Sequence, residues 1–428
     1  MTMNALAAFA HREACFVLIA INMASGKPAK DLYSRYKKMN TLIGLPNDDV
    51  FANDIFHSTN TERFEENCKD RKIRGTWIFQ ASESNFSKLY NMVPPEEWSN
   101  CVFIFDECHN FFTCDDNTRK LADIYVNKIL FGSIEPEERR VSNMSVRAFV
   151  LTSATPGDMP HKITKDFHPE EGEFRMIVAD DTRLKEQGYV SVQDARLFRD
   201  GLSKNMKSDQ WYGKDVDRVS KGISGLEFAN QMTLDHFDPT YRAFTDDCLA
   251  KPRSNTPSCM LEFTSVHKSE KSKNSIEHHA RGIARCYPDA IALAQHGEGV
   301  FHFDQYGVRT AFADPEQANE VLTQRAEYAG SNKYIITNIG YGSMTYHLAG
   351  RPVTHIYIAF KNNVNNMLQK AQGMGRACGY IKDDLDLRLG YVQVLCTREH
   401  FEEIQTKLDR WVIILRPVDR SDNNASMS

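Results

Sequence analysis

Cys101-Val102-Phe103-Ile104-Phe105-Asp106-Glu107-Cys108-His109 is the stretch whose reading decides the fold. Five consecutive apolar residues make a strand buried on both faces, the habit of a central parallel strand with helices above and below it. Two carboxylates at its carboxyl end then face the crevice in which open α/β sheets bind ligands. Burying Asp106 and Glu107 without a partner is costly, so a cation or a proton-transfer task is the simplest reason for them. An Asp-Glu pair also begins many ordinary loops, so the decision rests on what the remaining chain places around it.

Similar apolar runs recur on both sides. Phe16 to Ile21, Asp54 to His57, Thr76 to Phe79 and Ala148 to Leu151 read as buried strands, separated by helix-like stretches at Ala29 to Met39, Glu62 to Cys68 and Asn85 to Asn91. Strands alternating with helices specify a doubly wound parallel sheet. A second series runs through Cys259 to Phe263, Ala290 to Ala294, Tyr334 to Ile336, His355 to Ala359 and Tyr391 to Leu395. The expected organisation is a first α/β domain over 1–182, a mostly helical linker or insertion over 183–255, a second α/β domain over 256–417, and a disordered polar tail over 418–428. The charged segment His267 to Ser275 reads as a solvated surface loop.

With 428 residues the chain is long enough for two or three domains with their own cores, and its 41% apolar, 25% charged composition is that of a globular protein. A net charge of -5 excludes a uniformly basic nucleic-acid coat but leaves room for a local basic cleft. The ten cysteines form no CxxC pair, which implies reduced thiols rather than a disulfide framework. Cys101, Cys108, His109 and Cys114 lie close in sequence, and ordinary buried thiols explain them better than zinc does. The apolar run Cys15 to Ile21 is too short to span a membrane and lacks a signal-peptide layout, so the expectation is a soluble cytoplasmic or nuclear protein with no membrane partner.

Three further segments bear on the carboxylates. Leu151-Thr152-Ser153-Ala154-Thr155-Pro156 ends an apolar run, and hydroxyls there can both donate and accept hydrogen bonds. Ile335-Ile336-Thr337-Asn338-Ile339-Gly340-Tyr341-Gly342 is a strand followed by glycines, which let backbone amides approach an anion. Within Leu368 to Tyr380, Gln372, Gly375 and Arg376 form a QxxGR pattern, and a guanidinium can neutralise charge developing on a transferred phosphoryl group.

In this order and at these strand ends, the four segments resemble motifs II, III, V and VI of the superfamily 2 DExH-box helicases and translocases. The resemblance implies two RecA-like doubly wound domains with a helical insertion between them, and ATP and Mg2+ as cofactors. It implies that Asp106 holds the magnesium, Glu107 activates water, His109 and Gln372 couple the domains, Ser153 and Thr155 relay closure, and Arg376 stabilises the phosphoryl transition state. Thr337, Gly340 and Gly342 would contact nucleotide or nucleic acid, and the implied partner is DNA or RNA. The second Arg of the family's QxxGRxxR is replaced by Gly379, and the acidic residue usual after the motif V glycine is absent. Met260 to Ser265 stands where motif IV would, and reads equally well as plain core. The Gly375-Arg376-Ala377-Cys378-Gly379-Tyr380 form is more similar to phage and large-virus helicases than to cellular ones.

Motif I, the P-loop, is the piece that fits worst. Gly26-Lys27 is followed by Pro28, which has no hydroxyl for a metal and no amide for a phosphate, and Ile21 stands where the loop's first glycine belongs. Either Gly26 and Lys27 form a divergent P-loop, or motif I is absent, Thr2 to Arg12 is the helix that follows one and Ala14 to Ile21 is the strand of motif Ia. Two functions are therefore expected: a nucleic-acid-stimulated ATPase that translocates or unwinds, or a helicase-like binding or scaffold protein without turnover.

Overall fold

The computed structural model describes residues 16–21, 33, 55–58, 75–80, 82–106, 116–132, 143–151, 189–190, 194–203, 211–213, 221–251, 253, 257–264, 275–313, 315–338, 353–358, 379–380 and 392–415. The chain divides into two compact units, Met1–Ile177 and Val178–Ser428, both mixed α/β and dominated by parallel strands.

In the first unit β1 (Phe16–Ile21), β2 (Ile55–Ser58), β3 (Gly75–Gln80), β4 (Cys101–Asp106) and β5 (Ala148–Leu151) pair in the order β2-β3-β1-β4-β5, every neighbour parallel. β4 is buried from Cys101 to Phe105, as its composition requires. Helix α1 (Glu83–Met92) covers one face. It starts because the Ser82 hydroxyl accepts the Asn85 amide at 3.2 Å, and it stops at Val93, before Pro94 and Pro95. Its Phe86 ring lies 6.2 Å from Phe103 and 5.8 Å from Phe105, and Phe105 meets Phe149 of β5 edge-on at 5.5 Å. Helix α2 (Asp116–Phe131) buries Val126, Ile129 and Leu130 in the same core, at helical spacing.

The second unit contains β6 (Tyr189–Val190), β7 (Ala195–Leu197), α3 (Gly225–Gln231), α4 (Pro239–Leu249), β8 (Cys259–Phe263), α5 (Ile276–Cys286), β9 (Ile291–His296), β10 (Gly299–Phe303), β11 (Arg309–Phe312), α6 (Pro315–Thr323), β12 (Lys333–Thr337), β13 (Val353–Ile358), β14 (Gly379–Tyr380), β15 (Val392–Leu395) and α7 (Arg398–Leu415). Eight strands form one sheet, β11-β10-β9-β12-β8-β13-β15-β7, parallel from β9 to β7 and closed at the other edge by the antiparallel β10 and β11. β6 and β14 pair separately.

Taken in chain order, β8, β9, β12, β13 and β15 wind as β1 to β5 do: the second strand lies two places to one side of the first, the third fills the gap, and the last two go to the other side. Both units thus repeat one five-strand winding.

Side chains alternate across a strand, so Cys259, Leu261 and Phe263 of β8 face one core while Met260 and Glu262 face the other. Glu262 is fully buried, a costly position for a carboxylate without partners. Trp211 Nε1 donates to its Oε1, and the hydroxyls of Tyr241 and Tyr334 donate to its Oε2 at 2.8 and 2.7 Å. Since the Tyr241 proton goes to Glu262, His279 Nε2 donates to the Tyr241 oxygen at 2.8 Å and its Nδ1 accepts from Tyr212 at 3.1 Å. Burial keeps His279 neutral by pushing its pKa down, and the Trp211 ring stacks on it at 3.9 Å.

Residues 183–255, expected as a helical linker, therefore belong in good part to the second unit. β7 is an edge strand of its sheet, and Trp211, Tyr212, Phe228, Tyr241 and Phe244 are core. α4 presents Tyr241, Phe244, Thr245 and Cys248 on one face, an i, i+3, i+4, i+7 stripe, behind an Asp238 N-cap that accepts the Thr240 amide at 2.8 Å. The first unit ends at Ile177, short of the 182 expected. The tail 418–428 lies outside the described residues.

α4 is also tied to the sheet through Asp247, whose Oδ2 accepts from Gln393 Nε2 at 2.7 Å and lies 2.9 Å from His355 Nε2. The His355 bond holds the Asp247 carboxyl down at about 2, while burial pushes His355 below its ordinary value and keeps it neutral.

Glu262→Ala would leave three buried donors without their acceptor, at about 1–3 kcal/mol each and not strictly additive. Urea denaturation followed by tryptophan fluorescence should show a loss of at least about 3 kcal/mol; a loss below about 1 kcal/mol would mean that the donors find other acceptors. The Asp247 and His355 shifts have the same sign of linkage. An unfolded His takes a proton below about 6.5 and an unfolded Asp below about 3.9, so the unfolded chain binds more protons in both windows. Stability should therefore decline on acidification from about pH 6.5, and Asp247→Asn should flatten the part of the decline between about pH 4 and 2, measured as the urea midpoint against pH.

Candidate functional site

The carboxyl ends of β1 and β4 lie side by side, with Ile21 in register with Asp106. From β1 the chain crosses to β2 on one side, and from β4 it crosses to β5 on the other. Such a reversal leaves the strand ends uncovered by crossovers, and it is where open α/β sheets bind ligands. Asp106, the first residue after five buried apolar ones, stands at that opening because the apolar run ends there. Behind it, Phe103 and Phe105 are clamped by Phe79, Phe86 and Phe149, which fixes the height at which the strand ends.

β5 finishes level with this edge, Leu151 opposite Phe105, so Ser153 and Thr155 follow a strand end adjacent to that of β4. Gly26 and Lys27 likewise follow β1 in sequence. Three candidate segments thus leave the sheet from three neighbouring strands, β1, β4 and β5. Asp106 is the last residue of β4. Glu107, His109, Ser153, Thr155, Gly26 and Lys27 lie outside the described residues, as do Gly340, Gly342, Gln372 and Arg376. Thr337 is described: it is the buried last residue of β12, and its carbonyl accepts the Thr264 amide at 3.0 Å, so the carboxyl ends of β8 and β12 are locked together.

Pro28 fits a phosphate cradle poorly, for the reasons its missing amide and hydroxyl impose. Among the described residues no group of three or more His, Cys, Asp or Glu is arranged to hold a metal, and no helix is long and apolar enough to cross a membrane. Cys101 is a buried thiol that donates to the Glu97 carbonyl at 3.4 Å; Cys108, His109 and Cys114 are outside the described residues.

Sequence reasoning passed over two polar groupings. One is the Glu262 network, invisible because an acidic residue inside Met260 to Ser265 does not announce its donors. The other links α5 to the β10–β11 hairpin. Arg309 donates to Glu277 through Nε at 2.8 Å and Nη2 at 3.2 Å, and His296 Nε2 lies 2.8 Å from the same carboxylate. Burial raises the Glu277 pKa, but the bonds from Arg309 and His296 outweigh it and leave the carboxyl below its ordinary value. Phe301 lies between the His296 ring at 4.7 Å and the Arg309 guanidinium at 3.8 Å. The hairpin had a signal: alternating Val300, Phe301, His302 and Phe303 followed by Asp304-Gln305-Tyr306-Gly307, a strand leading into a turn.

No family model and no curated protein matches the chain. A solved structure, the DEAD-box helicase Mss116 bound to ssRNA and UDP-BeF, is similar to it at 11% sequence identity and a TM-score of 0.40, over 89% of this chain and 59% of that one. The chain thus spans 59% of the length of that structure.

Phe105→Ala removes the ring packed directly behind Asp106. Thermal or urea unfolding should register a loss of about 3–5 kcal/mol, the range for emptying a well-packed aromatic site; a change near zero would mean that Phe86 and Phe149 collapse into the space.

Proposed function

We propose that the chain is an ATP-dependent helicase or translocase of superfamily 2 type, with two RecA-like domains and the DExH junction as the hydrolytic half of its nucleotide site. The observation that carries the reading is the position of Asp106 at the end of a buried central strand, in register with the end of β1 at the reversal of the winding. The ordered segments at Ser153 and Thr155, at Thr337, Gly340 and Gly342, and at Gln372 and Arg376 support it. In this reading bound ATP with Mg2+ supplies the phosphoryl group and the charge that polarises it. Asp106 holds the metal side of the site, Glu107 takes a proton from the attacking water, and His109 and Gln372 link the two domains. Ser153 and Thr155 pass closure between strand ends, Arg376 neutralises the developing negative charge, and DNA or RNA is held chiefly through its phosphates. Finer expectations belong to the same proposal: a virus- or phage-like lineage, and a cytoplasmic or nuclear site of action.

Pro28 after Gly26-Lys27 favours a second reading, a helicase-like nucleic-acid-binding or scaffold protein that does not turn ATP over. One assay separates the two. Turnover by the pure 428-residue chain should rise when single-stranded DNA or RNA is added, and Glu107→Gln should abolish it while leaving binding of a fluorescent ATP analogue intact. Negligible turnover with either strand present selects the scaffold reading, and unchanged turnover in Glu107→Gln removes that residue from the chemistry.

A further inference from the structure

The turn between β10 and β11 is built to hold its shape while displaying an aromatic ring. The Asp304 carboxylate accepts the amides of Tyr306 at 2.9 Å and Val308 at 2.8 Å, and the Asp304 carbonyl accepts the Gly307 amide at 2.9 Å. Arg281 Nη1, from α5, donates to the Gly307 carbonyl, and its guanidinium lies 5.2 Å from the centre of the Phe303 ring. Gly307 has φ +80°, a conformation that requires glycine, and a Cβ there would stand 2.6 Å from Arg281 Nη1 and push the end of that side chain aside. Every amide from Tyr306 to Val308 is therefore occupied, and Arg309 below is clamped by Glu277. On this fixed base Tyr306 is 79% exposed and Val308 58% exposed, with Gln305 exposed beside them.

A rigid turn that offers a ring has already met the ordering cost of a contact, and the size of the offer limits the occupant. A stable protein interface takes roughly 800 Å² and 20–30 residues from each side, far more than two apolar side chains flanked by Asp304, Gln305 and Arg309. A nucleobase takes one ring face for stacking and one amide for its edge. Since the charged groups at the turn are already engaged, Asp304 with backbone amides, Arg281 with the Gly307 carbonyl and Arg309 with Glu277, the contact offered is to a base and not to a phosphate.

We propose that the Tyr306 ring is a stacking platform for an unpaired base of a single-stranded nucleic acid, with Gln305 beside it to meet the base edge. This rests on the nucleic-acid partner proposed above and adds to it a residue outside the helicase motifs. The test is fluorescence anisotropy of the full chain with labelled dT20 and rU20 oligonucleotides and a matched duplex across a salt series. Tyr306→Ala is expected to weaken single-strand binding by about 5- to 150-fold, the loss of one stacked base. Tyr306→Phe should bind as the wild type does, and the slope of log affinity against log salt should be unchanged, because no phosphate contact is lost. Gly307→Val, which displaces Arg281, should give an intermediate loss. Tyr306 is exposed and supports no core, so its variants should melt with the wild type.

Single-strand binding that is indifferent to Tyr306→Ala overturns the proposal and leaves the broader reading standing. An altered salt slope, or a change in sedimentation mass in place of a change in affinity, overturns it in favour of a phosphate or protein contact. A wild-type chain that binds neither oligonucleotide overturns both.

Discussion

The second unit depends on one buried negative charge. Glu262 sits in the middle of an eight-stranded sheet with no water to solvate it, and it is tolerable there only because Trp211, Tyr241 and Tyr334 turn their protons toward it. These donors come from three places far apart in sequence: an irregular stretch, helix α4 and strand β12. Hydrophobic burial alone would let the stretch around Trp211 and Tyr212 slide over an aromatic surface with little loss. A carboxylate that must receive three directional bonds admits one placement, and with it fixes α4, the neutral form of His279 and the Asp247–His355 tie. A buried polar group of this kind adds specificity more than net stability, because its desolvation offsets much of what its bonds contribute.

Much of the sheet was legible because strands buried on both faces cannot disguise themselves. Phe16 to Ile21, Val102 to Phe105, Ala148 to Leu151 and Cys259 to Phe263 are strands within a residue of where their apolar runs place them. The β10–β11 hairpin and β7 were not seen. β10 is short and interrupted by His302, so its signal lay in the turn that follows it, and β7 is three residues long with Arg196 exposed in its middle, so neither offers an unbroken apolar run. Residues 183–255 misled for a related reason. Their polar, glycine-punctuated composition is that of a linker, but the few aromatics among them are the ones that insert into the second core, and composition averages such anchors away.

For the candidate site, the sequence identified which residue types stand at strand ends, and the sheet supplies what no linear reading could: which ends are neighbours. Asp106 is beside Ile21 and not beside the end of β2 or β3, so the strand that precedes Gly26 and Lys27 in sequence ends next to the one that ends in Asp106. That adjacency follows from a single rule of winding, and no feature of Lys27 itself predicts it.

The same winding occurs twice, and the two copies differ at one telling place. Where Asp106 ends β4 opposite Ile21, Ile358 ends β13 opposite Phe263. Among the described residues, then, the winding reverses twice in the same way, with an acidic residue type ending one strand and an apolar one ending its counterpart. A repeated winding supplies two such pairs of strand ends, and only the first pair carries a residue type that a cation would seek. A protein can in this way keep the regularity of a doubled winding while giving its two halves unlike groups at matching positions.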